Sequence, residues 1–436
     1  MGLIARLAAG ADAPVFVVVG AGGRDAARSL VVMEGVRVVD HPRAAALLVI
    51  VGRPTTALLR PMLLVHDQLP TPRATLWWPT GPGGEDLVAA LGDVVVGRPC
   101  DRAGLLAVFT ELVSGARSSD PPALADIEPA EWRGVGPYGQ GGTGMTGGHP
   151  YGLPLAGRAP DPDGLELDQL PLQIGPLFPL LPPGLVLHLG VQGDVLNTVT
   201  VGENPYTPSP GDPGLGPLEV DVFHEAARAP VTVATLELAR ARHHLRWAAG
   251  ALRLHGLHAK SRQLALLAES LTVDQQAAVA RVVGRLVRQW GLRAAMSGVG
   301  VVSPADVAGQ AGPVARASGS VTDARIGDPA YDGLGFEPVS HDTGDAWARF
   351  RQRLAEATQA LGLAERAGDR VRRAGPTVEG PRGPVAVGTP APGEALLALL
   401  PSLLAGQEWG DAMTTVVSLD LDLEEIAAAT TVDAEP

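Results

Sequence analysis

Cys100 lies in the turn of VVVGRPCDRAGLL, between a strand-like run (Val94, Val95, Val96) and a helix-like run, and the chain has no other cysteine. A thiolate in such a turn can ligate a metal or act as a nucleophile. One thiol excludes an intrachain disulfide and a Cys-pair zinc site. It also cannot hold an iron–sulfur cluster alone, because a cluster takes four thiolates or close equivalents. A second candidate is VVVGAGGRDAARSL, where Gly20, Gly22 and Gly23 follow a strand and open a helix, and Asp40 ends the next strand. Glycines so placed let the backbone approach a pyrophosphate, and the acid binds ribose. Asp25 stands at the third-glycine position, so a plain strand–turn–helix is the competing reading. The ten histidines form no HExxH pair. His243 and His244 are adjacent and point about 100° apart on a helix, which does not suit one metal. His255 and His258 are three apart and either share a site or lie on a surface or in a core. No G-x-S-x-G elbow and no Walker A loop occurs.

These residues need elements to hold them. Residues 14–113 alternate strand and helix signals: VFVVVG, DAARSLVVMEG, VRVVD, AAALLVIVG, TTALLRPMLLVHDQL, ATLWW, DLVAALG and VVV. This pattern predicts a parallel sheet with helices on its faces. Residues 114–164 are rich in Gly and Pro without an apolar period and read as a linker or extended connection, with His149-Pro150-Tyr151 as a contact segment within it. LVLHLGVQGDVLNTVTVG alternates at period two around Gly193-Asp194 and predicts a hairpin. Helical patterns follow at 230–255, 258–270, 273–293 and 344–370. The second half is therefore expected to be mainly helical with a small sheet.

Composition narrows the function classes. A formal charge of −13 and no Lys/Arg-rich run give no footprint for nucleic acid or an anionic membrane surface. The N-terminal residues lack the apolar core of a signal peptide. The most apolar stretch, 170–191, is interrupted by Pro171, Pro176, Pro179, Pro182 and Pro183 and cannot form a spanning helix. With a single cysteine, a reducing, cytoplasmic setting is expected.

Two stretches resemble known families. HPRAAALLVIVGRPTTALLRPMLLVHDQLPTPRATLWW and VVGRPCDRAGLLAVFTELV resemble the B-type subunit of NADH-quinone oxidoreductase (complex I), a relative of the nickel–iron hydrogenase small subunit. The His66-Asp67-Gln68-Leu69-Pro70-Thr71-Pro72-Arg73 segment carries much of that likeness. Residues 165–426 resemble the D-type subunit of the same complex, a relative of the hydrogenase large subunit. Glu237-Leu238-Ala239-Arg240 through His244 and Trp247, Gly312-Pro313 through Arg316, Ser318 and Gly319, Asp323-Ala324-Arg325, Glu379-Gly380-Pro381-Arg382-Gly383 and Ser418-Leu419-Asp420 are similar to its motifs. The implied architecture is a fusion: a flavodoxin-like α/β domain at 1–113, a linker at 114–164, and a hydrogenase large subunit-like domain at 165–436.

The resemblance also marks departures. The B-type family holds a four-iron cluster with cysteines in three places. Here the first place reads around Gly22, the second around Gly83, and the third keeps Cys100, one position off. The cluster is thus expected to be absent, with Cys100 an inert buried remnant. The quinone loop of the D-type family carries two histidines. Here it reads Gly175-Pro176-Leu177-Phe178-Pro179-Leu180-Leu181-Pro182-Pro183-Gly184, so Phe178 and Pro183 stand in an apolar, stiff loop without a proton donor. Arg240, His244 and Arg316 are expected to line the interface between the halves. No catalytic residue, no metal and no cofactor is expected. The implied role is a redox-inactive structural or regulatory arm, on the cytoplasmic face of a membrane complex related to complex I or to cation/proton antiporters. The enzymatic alternative is a polypeptide that still binds quinone or nucleotide and receives electrons from partner subunits. A further alternative is a stand-alone scaffold with a small ligand.

Overall fold

The computed structural model describes residues 10–126, 157–160, 165–208, 218, 221–386 and 388–432. The first half is a five-stranded parallel sheet of order β2-β1-β3-β4-β5, with β1 (Ala13–Val19), β2 (Val36–Val38), β3 (Leu47–Val51), β4 (Ala74–Trp78) and β5 (Val94–Val96). Its helices are α1 (Arg24–Val32), α2 (Thr56–Gln68), α3 (Glu85–Ala89) and α4 (Arg102–Ser114). Every residue of β3 and β4 is buried, as near-continuous aliphatic runs require when both faces of a parallel sheet are covered.

The two faces have different covers. Val15, Leu47, Val49, Leu76 and Trp78 pack against Leu30 of α1 and Leu105, Val108 and Phe109 of α4. On the other face Phe16, Val18, Leu48, Ile50 and Trp77 share one cluster with Leu58 and Met62 of α2. That cluster continues into Leu181, Leu185, Leu187, Leu189, Leu396 and Leu400 of the second half. One hydrophobic core thus spans both halves.

Residues 117–126 lie against the first half. The Asp67 carboxylate accepts the backbone N–H groups of Ala123 and Leu124, each at 2.8 Å, and Asp120 N–H donates to the Arg73 carbonyl. Residues 149–151 lie outside the described residues.

The second half opens with the antiparallel sheet β6-β7-β8-β9. In it β6 (Gly157–Pro160) pairs with β7 (Glu166–Ile174), and β8 (Leu187–Gln192) and β9 (Val195–Val201) form the expected hairpin. Gly193 supplies the hairpin turn with φ 63°. Next come α5 (Asp221–Arg228), β10 (Val231–Thr232), α6 (Val233–Leu254), α7 (His258–Glu269), α8 (Gln276–Leu286), α9 (Trp290–Met296), α10 (Pro313–Ala317) and α11 (Ala346–Ala367). The chain continues through β11 (Val371–Arg372), β12 (Thr377–Glu379), β13 (Pro384–Ala386), α12 (Pro392–Leu404), α13 (Trp409–Leu419) and α14 (Leu423–Val432). The long helices α6 and α11 pack side by side. Ala241, Ala248, Ala357 and Ala360 allow close approach, while Leu245, Leu252, Phe350 and Leu354 fill the gaps. Thr232 caps α6 by accepting from Thr235 N–H, and Asp345 caps α11 by accepting from Ala348 N–H.

Candidate functional site

The loops that leave β1, β3 and β4 converge at one end of the parallel sheet. At that end, between β1 and β3, the strand order reverses, the usual place for a ligand in such sheets. The loops interlock tightly. Ala21 and Arg53 exchange backbone hydrogen bonds at 2.7 and 2.9 Å, and Gly20 N–H donates to the Val51 carbonyl. A Cβ on Gly20 would stand 2.5 Å from the Arg53 carbonyl oxygen, and one on Gly23 would stand 2.3 Å from that of Val51. These glycines serve loop-to-loop packing. Gly22 N–H, the donor a phosphate would use, points at the Glu424 carboxylate, 2.6 Å away. Asp40, the ribose candidate, pairs with Arg253 of α6 at 2.5 Å. The nucleotide reading therefore finds its donor and its acid both engaged within the chain.

Glu424 belongs to an ion cluster on the seam between the halves. Arg24 at the head of α1 meets Asp422 at 2.7 Å and Glu424 at 3.2 Å. Arg382, from the β12–β13 turn, meets Asp422 at 2.5 Å and Glu425 at 2.6 Å. Asp422 also caps α14, accepting the N–H groups of Glu424 and Glu425 at 3.0 Å each. Neutral bonds reinforce the seam: Tyr206 hydroxyl to the Val19 carbonyl, Thr55 hydroxyl to that of Pro205, and the Asn204 amide to that of Leu423. Burial pushes the Glu424 carboxyl up, opposed by Arg24, and pushes Glu425 up, opposed by Arg382.

Cys100 is elsewhere. It is exposed, its backbone is left-handed at φ 65°, and its thiol donates to Ser29 of α1 at 3.1 Å. The expectation of a buried thiol is corrected: the left-handed turn directs the side chain outward along α1. Gly22 and Gly83 have positive φ, 71° and 91°, and the Gly83 N–H donates to Glu85 at 3.3 Å. The donor set does not fit a four-iron cluster, since one exposed thiol stands where four ligands are needed. Among the described residues no group of three or more His, Cys, Asp and Glu could hold a metal.

Arg240, His244 and Arg316 are buried, but within the second half and not on the seam, which corrects their placement. Arg240 bonds Glu237 and the carbonyls of Glu379 and Gly380. Arg316 meets Glu356 and Glu379 at 2.8 Å and Asp323 at 3.0 Å. Glu237 also takes Arg325 at 3.1 Å and the Tyr331 hydroxyl at 2.7 Å. His244 Nε2 lies 3.2 Å from Glu356. It is the neighbouring His243 that looks towards the seam, 2.7 Å from Asp420, which also binds Arg353 at 2.9 Å. Burial opposes ionisation of Glu356, but Arg316 and His244 outweigh it and hold its carboxyl well below the usual range. Arg353 and His243 likewise lower Asp420 against the effect of burial. Burial drives His244 down to about 3, so it is neutral at pH 7.

Phe178 and Pro183 do reach the first half. With Leu177 and Leu181 they line a half-open apolar pocket of about 210 Å³ against Val17 and Val19 of β1 and Val31 of α1. Arg28 and Arg253 stand among its lining residues.

Sequence reasoning missed Arg24, Asp422, Glu424 and Glu425. The one signal for them is the acid run in Ser418-Leu419-Asp420-Leu421-Asp422-Leu423-Glu424-Glu425, four carboxylates in an otherwise buried apolar stretch.

Comparison with known proteins finds one family match in the second half. Residues 266–386 match the family described as "Respiratory-chain NADH dehydrogenase, 49 Kd subunit". The chain is 41% identical over 95 residues to the carbon monoxide-induced hydrogenase of Rhodospirillum rubrum, covering 21% of this chain and 26% of that protein. It is 46% identical over 80 residues to the NADH-quinone oxidoreductase D 2 subunit of Salinispora tropica, covering 17% of this chain and 21% of that one. These alignments thus span about a quarter or less of the relatives' length. Among solved structures, a chain of the membrane-bound sulfane sulfur reductase, an archaeal respiratory membrane complex, superposes with a TM-score of 0.44 at 18% identity, covering 60% of this chain and 98% of that chain.

Proposed function

We propose that this chain is a redox-inactive structural or regulatory subunit in the peripheral arm of a complex I-like or antiporter-like membrane complex. In this reading residues 1–113 stand for a B-type domain of flavodoxin-like topology, 114–164 for the connection, and 165–436 for a D-type domain. The likeness of residues 266–386 to the 49 Kd subunit family supports the second assignment. The strand order β2-β1-β3-β4-β5 suits the first.

The observation that carries the redox-inactive reading is the Glu424 carboxylate seated on Gly22 N–H. At the first of the three places where the B-type family keeps its cluster cysteines, this chain has a glycine loop filled by its own C-terminal helix. At the third, Cys100 turns away towards Ser29. The residues of this site bind one another and exclude water, and that is the chemistry of a strut.

Membrane proteins are the partners in this reading, on the cytoplasmic side. No helix among the described residues is long and apolar enough to cross a membrane, so attachment would run through those partners. Affinity purification of the native protein from detergent-solubilised membranes, followed by mass spectrometry, tests this. Multi-spanning subunits of the complex I or antiporter type are expected in constant proportion. Recovery of the chain alone from the soluble fraction would overturn the assignment.

The apolar pocket beside Phe178 favours a second reading, in which the chain still binds a quinone and electrons come from partner subunits. Its volume and lining suit a small apolar ring. Saturable binding of a short-chain quinone analogue that is lost in Val17→Trp would favour this alternative.

A further inference from the structure

The chain carries a formal charge of −13, yet residues 275–305 hold four arginines, Arg281, Arg285, Arg288 and Arg293, and no acid. Interleaved with apolar residues, they form no basic run, which is why composition shows no footprint for an anionic surface. Folding gathers them. In α8 the Val279 and Leu286 side chains are buried, while Arg281, Arg285 and, in the turn that follows, Arg288 are exposed. Their spacing of i, i+4 and i+7 puts them on one side of the helix. The short helix α9 continues with Trp290 and Arg293, three apart and both exposed. Trp290 is 81% exposed, more than any other large apolar side chain among the described residues. Arg281 Nε donates to the Ala277 carbonyl of its own helix, and none of the four guanidinium groups is in an ion pair among the described residues. Asp306, the next acid along the chain, accepts from the N–H and hydroxyl of Ser303 at 2.8 and 2.7 Å. Glu408 and Asp411 stand at the head of α13, which packs against α9, and neither pairs with Arg293.

We propose that the outer face of α8 and α9 docks on the anionic headgroups of a lipid bilayer. Charge complementarity is the first reason: four exposed guanidinium groups with no carboxylate among them suit a layer of phosphates, which they bind as charge-assisted donors. The indole is the second. Tryptophan sits at headgroup level, its ring in the apolar boundary and its N–H in the polar layer. Trp290 stands out from the protein surface, not in a groove. A protein partner must supply a shaped pocket for such an anchor, whereas headgroups yield to any outline, so the observations favour lipid over an acidic protein. The acids that give the chain its net charge do not cancel the face, because charges more than about 8–10 Å away are largely screened at physiological salt. The proposal rests on the membrane-arm reading for its setting, and adds a lipid contact to attachment through partner subunits.

Flotation of the purified full chain with phosphatidylcholine vesicles, with and without phosphatidylglycerol, tests it at about 0.1 M and 0.5 M salt. Binding is expected to the anionic vesicles alone, and to fall at least about tenfold at the higher salt. The double variant Arg285→Glu/Arg288→Glu should lose at least about tenfold in affinity at the lower salt. Brominated lipid should quench tryptophan emission of the bound chain, and Trp290→Phe should remove that quenching. Equal binding to both kinds of vesicle, no binding to either, or binding that survives the double reversal would overturn the proposal. So would capture of an acidic protein through these arginines by a chain that ignores vesicles. If a variant fails to fold, the lipid and salt dependence of the unmodified chain still decides. The vesicles carry no protein, so failure here leaves the co-purification of membrane subunits standing, and failure of co-purification leaves the lipid result standing.

Discussion

Arg316 shows how much one side chain carries in this fold. It is fully buried and touches Glu356, Glu379 and Asp323 at 3.0 Å or less. Arg316→Met keeps the length and removes the charge that Glu356, Glu379 and Asp323 share. Breaking a buried pair this way costs about 3–5 kcal/mol. Urea denaturation should show a destabilisation of at least that size, and a loss below about 1 kcal/mol would mean that solvent reaches the cluster. At this scale the sequence is partly legible. The motif residues Arg240, His244 and Arg316 are buried ion-network members, but they lie away from the seam. Two adjacent helical positions differ by about 100°, so sequence alone does not say whether His243 or His244 faces the seam. Cys100 escapes for a similar reason, since a left-handed backbone at a non-glycine residue is rarely visible in sequence.

At the scale of elements, α6 and α11 form the rigid centre, and their pairing is sensitive to acid. Burial lowers His244 to about 3, so the folded state refuses a proton that the unfolded chain accepts near the ordinary histidine value. That contribution is complete above about pH 6.5 and declines as pH falls, by at most about 1.4 kcal/mol per pH unit. The depressed carboxyls of Glu356, Asp420 and Asp323 act in the same direction at lower pH. Their stabilisation is present above the ordinary carboxylate range and is lost as pH drops through it. Denaturant midpoints should therefore fall from pH 7 to pH 5, and His244→Gln should flatten that decline. A midpoint constant over this interval would contradict the neutral, buried His244. The raised carboxyls of Glu424 and Glu425 on α14 act with the opposite sign, so alkaline and acid sensitivity belong to different elements. Strands and helices are legible here because each carries its own period: β3 and β4 as buried runs, β8–β9 as alternation around Gly193, α6 and α11 as long helical patterns. The seam contact of α14 is not, because it joins Gly22 to Glu424 across 402 positions and no local rule relates them.

For the whole molecule, the shared core matters more than the boundary between halves. Phe16 and Ile50 of the parallel sheet sit in one cluster with Leu187, Leu396 and Leu400. A chain with two independent cores would unfold in two steps; this one should unfold in a single cooperative transition. Calorimetry with equal van't Hoff and calorimetric enthalpies would agree, and two resolved transitions would show that the seam is weak. The division into two kinds of half is readable from the change of pattern near residue 114. Their joining through a shared cluster is not, because facing apolar surfaces carry no label of their partners.

The most direct test of the redox-inactive reading is the iron content and electron paramagnetic resonance spectrum of the reduced native assembly, taken with the unmodified chain and with Cys100→Ser. That reading predicts no four-iron signal attributable to this chain and identical spectra from the two preparations. A four-iron signal that disappears in Cys100→Ser would contradict it and would mean that the missing ligands come from a partner.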